Sequence, residues 1–161
     1  MPERGHRIYA TQHIHVSKEI EAPLKYVYDR ATDYCSDDWR LSPRRPRSSF
    51  RVVKLAPRRL LRIRITPSDA RDPAVAVDVI RLNPPRAWHT DQIDEEDRET
   101  VDCRLTALGA SRTRIYLLVT ERWVVPTHLT RDETRRRVRA AWDRYGAQIE
   151  DRFTRGRPAK G

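Results

Sequence analysis

The last thirty residues constrain this chain more than any other stretch. Val138, Ala141, Trp142, Tyr145, Ile149 and Phe153 recur at three- and four-residue spacing. That spacing lays one apolar stripe along a helix of about six turns. Thr130, with Glu133 three residues on, forms a capping-box start, and Gly156-Arg157-Pro158 ends the helix. A helix with one apolar face must bury that face against another layer. What precedes it is a series of strands with two short helices after the first, so the layer is a sheet.

Residues 8–21 alternate: Ile14, Val16, Lys18 and Ile20 share one face, and His13, His15, Ser17 and Glu19 the other. Pro23 opens a short amphipathic helix to about Ala31, because proline's missing N–H costs nothing at the first helical position. A second short helix is predicted from Asp33 to Leu41, anchored by Trp39 and stopped by Pro43 and Pro46. Six strands follow: Phe50–Leu55, Leu60–Thr66, Ala74–Leu82, Ala87–Ile93, Thr100–Leu108 and Arg114–Val125. Turn residues separate them at short intervals, which reads as an antiparallel meander. The predicted class is α+β, a seven-stranded antiparallel sheet wrapped around the long C-terminal helix. No repeat or linker divides residues 1–161, so one domain is expected, with 1–7 and 156–161 as loose termini.

No apolar run nears the ~20 residues that span a bilayer, and the first six residues have no apolar segment of the signal-peptide kind. Cys35 and Cys103 do not make a disulfide framework, so a cytoplasmic protein is expected. The net charge is +10, and 29 of the 33 basic residues are arginine. Arginine forks onto carboxylates and phosphates, so an arginine-rich surface of ion pairs and a polyanion partner are the two readings. From Arg40 to Arg64 there are ten basic residues and no acid, opposed by an acidic tip from Asp94 to Glu99. Basic patch against acidic tip would support a homodimer. Nucleic-acid binding is not expected, because no aromatic residue lies between Arg51 and Trp88 to stack on bases.

The run Ile20-x-Ala22-Pro23-x-x-x-Val27-Tyr28-x-x-x-Thr32-Asp33, with Trp39 after it, resembles the opening of START-like helix-grip proteins. This is the SRPBCC superfamily, which includes polyketide cyclases and dehydrases. The likeness runs over nearly the whole chain. It implies a cavity between the concave sheet face and the C-terminal helix. It also implies a small hydrophobic or amphipathic ligand there, lipid-like or polyketide-like. Members of the superfamily bind such ligands or cyclise polyketides, so a cyclase or dehydrase is the enzymatic alternative. An interaction module acting through its basic surface is the third.

Alternation nominates the liners. They are Ile14, Val16 and Lys18 from the first strand, Leu61, Ile63 and Ile65 from the third, and Val75, Val77 and Val79 from the fourth. Ile115, Leu117, Val119, Glu121 and Trp123 come from the last strand, and Trp142, Tyr145 and Ile149 from the helix. Tyr34 and Trp39 are placed at the mouth. Each apolar member also reads simply as core. Lys18 and Glu121 stand in phase with apolar neighbours, and a buried unpaired charge is costly. Either both snorkel from strand ends, or they pair as a ligand anchor or an acid–base couple. His89, beside Trp88, reads as a surface histidine or a general base. His13 and His15 at i and i+2 lack the further ligands of a zinc site, so no metal is expected, nor any other cofactor. Cys35 lies by Asp37 and Asp38, which disfavours a thiolate nucleophile.

Overall fold

The computed structural model describes residues 8–33, 49–67, 73–94, 97–125 and 130–156. The chain order is β1 (Ile8–Ile20), α1 (Leu24–Ala31), β2 (Ser49–Ala56), β3 (Arg59–Thr66), β4 (Ala74–Asn83), β5 (Ala87–Ile93), β6 (Arg98–Gly109), β7 (Arg112–Val125) and α2 (Arg131–Arg155). The seven strands form one antiparallel sheet in the order β1-β7-β6-β5-β4-β3-β2. The helix-grip architecture is therefore present. The short helix predicted over Asp33–Leu41, with Tyr34 and Trp39, falls outside the described residues beyond Asp33. So does Cys35.

The strand-to-helix corner after β1 is held locally. The Ala22 amide donates to the Ile20 carbonyl at 2.9 Å, and the buried Thr113 hydroxyl donates to the Ala22 carbonyl at 2.8 Å. Pro23 stands one place earlier than predicted. It is the extended N-cap residue of α1, with φ −60° and ψ 147°. α1 buries Val27, Tyr28 and Ala31 against the sheet.

α2 begins with the predicted capping box. The Glu133 amide donates to Thr130 Oγ1 at 3.1 Å, and the Thr130 amide donates to Glu133 Oε2 at 2.7 Å. Two of the donors left open at a helix start are thus satisfied. The helix lies along β1 and α1. Val138, Tyr145 and Ile149 are buried there, with Trp142 and Phe153 packed beside them. Gly146 faces Lys18: a Cβ at this position would stand 2.6 Å from Lys18 Cε, so the lysine stem crosses the helix where glycine leaves room. The Tyr145 hydroxyl donates to the Arg30 carbonyl at 3.3 Å and ties α2 to α1.

The core sits under the helices. Ile14, Val16 and Ile20 of β1 meet Ile115, Leu117 and Val119 of β7 and Val101, Cys103 and Leu105 of β6. Tyr28 stacks edge-on against Trp88 of β5, with ring centroids 6.0 Å apart. No helix among the described residues is long and apolar enough to cross a membrane.

Candidate functional site

Residues directly opposite each other in an antiparallel pair share a face, so the register assigns every strand a concave and a convex side. Taking β1 as reference, the concave side of β7 carries Leu117, Val119 and Glu121. On β6 it carries Glu99, Val101 and Cys103, and on β5 it carries Trp88, Thr90 and Gln92. On β4 it carries Asp78 and Ile80, and on β3 Leu60, Arg62 and Arg64.

Two assignments made from sequence are overturned here. Leu61, Ile63 and Ile65 of β3, with Val75, Val77 and Val79 of β4, occupy the convex side. Ile65 is 40% exposed and Val75 42%. Alternation is amphipathic there as expected, but with the opposite hand. Lys18 and Glu121 do not pair either. Lys18 is opposite Ile115 and bonds Asp143 Oδ1 at 3.3 Å, while Glu121 is opposite Gln12. Six residues of extended strand, roughly 20 Å, separate the two positions along β1 and β7.

What the concave face holds is a polar belt. Gln12, Glu121, Glu99, Gln92, Asp78 and Arg62 are successive register partners across six neighbouring strands. At about 4.8 Å per strand the belt runs roughly 24 Å. The next row is Ile14, Val119, Val101, Thr90, Ile80 and Leu60, and the one beyond runs Val16, Leu117, Cys103, Trp88 and Leu82. One end of the concave face is therefore polar, and the end under α1 is apolar.

The belt has two charge centres. At one, Arg62 Nε donates to Asp78 Oδ2 at 2.5 Å, a second guanidinium nitrogen reaches the same oxygen, and Asp78 is fully buried. An ionised pair persists in such a place only when its charges meet. The other is Glu99 beside Glu121. Burial, then the Glu121 carboxylate, push the Glu99 carboxyl up to about 7. Arg137 of α2 approaches Glu121 Oε1 at 3.9 Å from a largely exposed position. Two buried acceptors in the belt lack a partner among the described residues, Gln12 Oε1 and Asp78 Oδ1.

The remaining predicted residues are placed as follows. Val16 and Val119 are buried in the apolar rows, and Tyr145 is buried on α2 with Trp142 half-buried beside it, ring centroids 5.4 Å apart. Trp123 continues the concave side one row past the belt, with the Arg131 guanidinium 5.9 Å from its ring centroid. His89 points to the convex side, where Nδ1 meets Asp102 Oδ1 at 2.7 Å, away from the belt. His13 and His15 are exposed on that side too, bonded to the Thr120 and Tyr116 hydroxyls at 3.0 and 2.6 Å. Among the described residues no group of three or more His, Cys, Asp or Glu is arranged to hold a metal. Burial pushes the Cys103 thiol far above its ordinary range, so it is an apolar core residue rather than a nucleophile.

Sequence reasoning missed Arg62, Asp78, Glu99 and Gln12. The acidic run places Glu99 in the hairpin tip, but β6 begins at Arg98 and draws Glu99 into the sheet. The signal that was there is the single Asp78 inside a valine-rich strand, one strand from an arginine-bearing one.

No protein-family model matches the chain, and no curated protein matches it in sequence. Solved structures do. The Zhui aromatase/cyclase from Streptomyces sp. R1128 superposes with a TM-score of 0.60 at 15% identity, covering 94% of this chain and 99% of that one. A START superfamily protein from Mycobacterium smegmatis gives 0.62 at 10% identity, covering 89% and 97%. Norcoclaurine synthase from Thalictrum flavum gives 0.63 at 9% identity, covering 93% and 90%. At these identities the likeness establishes the fold.

Proposed function

On a START-like helix-grip fold, we propose that this chain binds one small amphipathic molecule on the concave face of its sheet. The observation that carries the reading is the division of that face. The rows through Val119 and Leu117 are apolar and packed under the helices, and the adjoining belt carries charged and amide groups. A site of this kind takes its affinity from apolar contact and its orientation from a few placed polar groups. Trp88, Trp142 and Tyr145 flank the apolar end, and Glu121, Glu99 and Arg62 stand at the polar end. Structural neighbours that include an aromatase/cyclase and a START superfamily protein support a ligand of that general kind.

Native mass spectrometry of the protein as purified from cells, followed by organic extraction, is expected to find one small amphipathic species per chain. A protein that carries none, and gains no thermal stability from a panel of aromatic amphiphiles, overturns the reading.

An enzyme of the cyclase or dehydrase kind is the second reading, favoured by one observation. Glu99, held near neutrality, can both give and take a proton at pH ~7, as a general acid–base requires. It replaces the Lys18/Glu121 couple, which the register separates. Turnover of a keto substrate that survives Glu99→Gln unchanged would remove this reading and leave the binding one standing.

A further inference from the structure

We propose that the belt recognises an organic cation: the protonated amine of an otherwise apolar ligand, seated against Glu99, Glu121 and Gln12 Oε1. The inference rests on the ligand-binding reading and names the class of ligand.

The first argument is geometric. Gln12, Glu121 and Glu99 are immediate register neighbours on β1, β7 and β6. Each presents oxygen acceptors to the same side, and a primary ammonium has three donors and no acceptor. The Gln12 amide is held this way round, because turning it over would forfeit the bond that Nε2 donates to the Arg131 carbonyl at 3.0 Å. That leaves Oε1, buried on a residue only 4% exposed, without a partner among the described residues. A buried acceptor left unmade costs free energy that a ligand donor would recover. The second unpartnered group in the belt, Asp78 Oδ1, is also an acceptor. An anionic ligand would satisfy neither.

The second argument is charge. Arg62 and Asp78 cancel each other at one end of the belt. At the other, two carboxyl groups face one guanidinium, Arg137, whose side chain is 63% exposed. Once Glu99 ionises, above about pH 7, the local imbalance is therefore negative, although the chain as a whole is +10. Distant surface charges are screened within about 8 Å at physiological salt, whereas buried ones are not.

The third argument is linkage. The groups facing Glu99 are Glu121 from β7, Asp78 with its Arg62 from β4 and β3, and Arg137 from α2. Burial first, then Glu121 and Asp78, hold its proton on, and Arg137 opposes them. An ammonium set between Glu99 and Glu121 acts in Arg137's direction and expels that proton to solvent. Cation binding then competes with protonation. Affinity rises by up to roughly tenfold per pH unit below about pH 7 and levels off above it.

The test uses three near-isosteric probes that differ in the head group: naphthylethylamine, naphthylethanol and naphthylacetate. Binding is read by naphthyl fluorescence at about pH 6 and about pH 8, a pair that straddles the Glu99 transition. The amine is expected to bind at least about tenfold tighter than the alcohol at the higher pH, with the acetate weakest, as one matched charge implies. Its affinity should fall at the lower pH while that of the alcohol stays level. Glu99→Gln should abolish the pH dependence, and Glu121→Gln should remove most of the amine's advantage. Circular dichroism and a cooperative thermal melt matching the wild type show that each variant still folds. If alcohol or acetate binds as tightly as the amine, the cation assignment falls and the binding reading stands. If the folded wild-type chain binds none of the three, both fall together.

Discussion

The two halves of the sheet obey the same alternation and point it in opposite directions. In β1, β7 and β6 the apolar residues face inward: Leu117 is fully buried, and His13, His15 and Arg104 lie outside. In β3 and β4 Leu61, Ile63, Ile65 and the valines face outward, and the inward positions mix Leu60 and Ile80 with Arg62, Arg64 and Asp78. The difference follows from what covers each half. α2 runs along β1, so the strands beneath it must be apolar on that side. Further across the sheet the concave side becomes polar, and apolar alternation is displaced to the convex side. A period of two establishes that a strand has two unlike faces. The neighbouring layer decides which of them is inside.

Substitutions can break this contrast or sharpen it. The largest effect is expected at the polar core of the second half. Asp78→Ala removes the buried carboxylate that Arg62 meets and should cost about 3–5 kcal/mol in denaturant unfolding. Replacing both partners by apolar residues should recover most of that loss. A single substitution no worse than the double one would show that the pair is solvated. In the first half, Leu117→Ala removes a fully buried side chain and should cost about 2–5 kcal/mol by the same measurement.

Glu99→Gln separates the belt from both. The Glu99 carboxyl sits above its ordinary range, so the folded chain holds a proton there that the unfolded chain has lost between roughly pH 4.5 and 7. The unfolded state then binds fewer protons than the folded one, and stability falls as pH rises through that window. The loss is on the order of 3 kcal/mol once the pH passes the folded value. Thermal melts should find Glu99→Gln neutral at about pH 4 and stabilising at about pH 8. A parallel offset at both values would show that Glu99 titrates alike in the two states. The smallest effect belongs to the convex side, where Ile65→Thr should change stability by less than about 1 kcal/mol. A loss matching that of Leu117→Ala would mean that the outward apolar face is covered as tightly as the core.

The fold was legible because its signals are local. The stripe from Val138 to Phe153, the capping box at Thr130 and the Ala22-Pro23 corner each declare an element without reference to distant parts of the chain. The candidate site was not legible in the same way. The belt exists only in the register, and the register of β4 against β3 depends on a loop whose length does not fix it. The valines at 75, 77 and 79 outweigh Asp78 in the sequence, yet hydrophobicity does not by itself mean inwardness. Glu99 was absorbed into a run of acids whose last member belongs to a strand. Lys18 stands in phase with apolar neighbours, but its partner, Asp143, comes from a helix 125 positions along the chain.

The bond from Gln12 Nε2 to the Arg131 carbonyl joins the edge strand to the first turn of α2, and Arg131 Nη1 returns a bond to the Thr11 carbonyl at 3.0 Å. The first orients the Gln12 amide before any ligand arrives, and the second braces the same helix–strand junction. Turning the amide over would forfeit the bond to α2, so its oxygen is held toward the belt at no cost to the binding event. Rotamer freedom that a guest would otherwise have to suppress has already been given up in folding. The helix start thus serves as part of the site's skeleton, and affinity at the belt inherits the rigidity of the helix–strand junction.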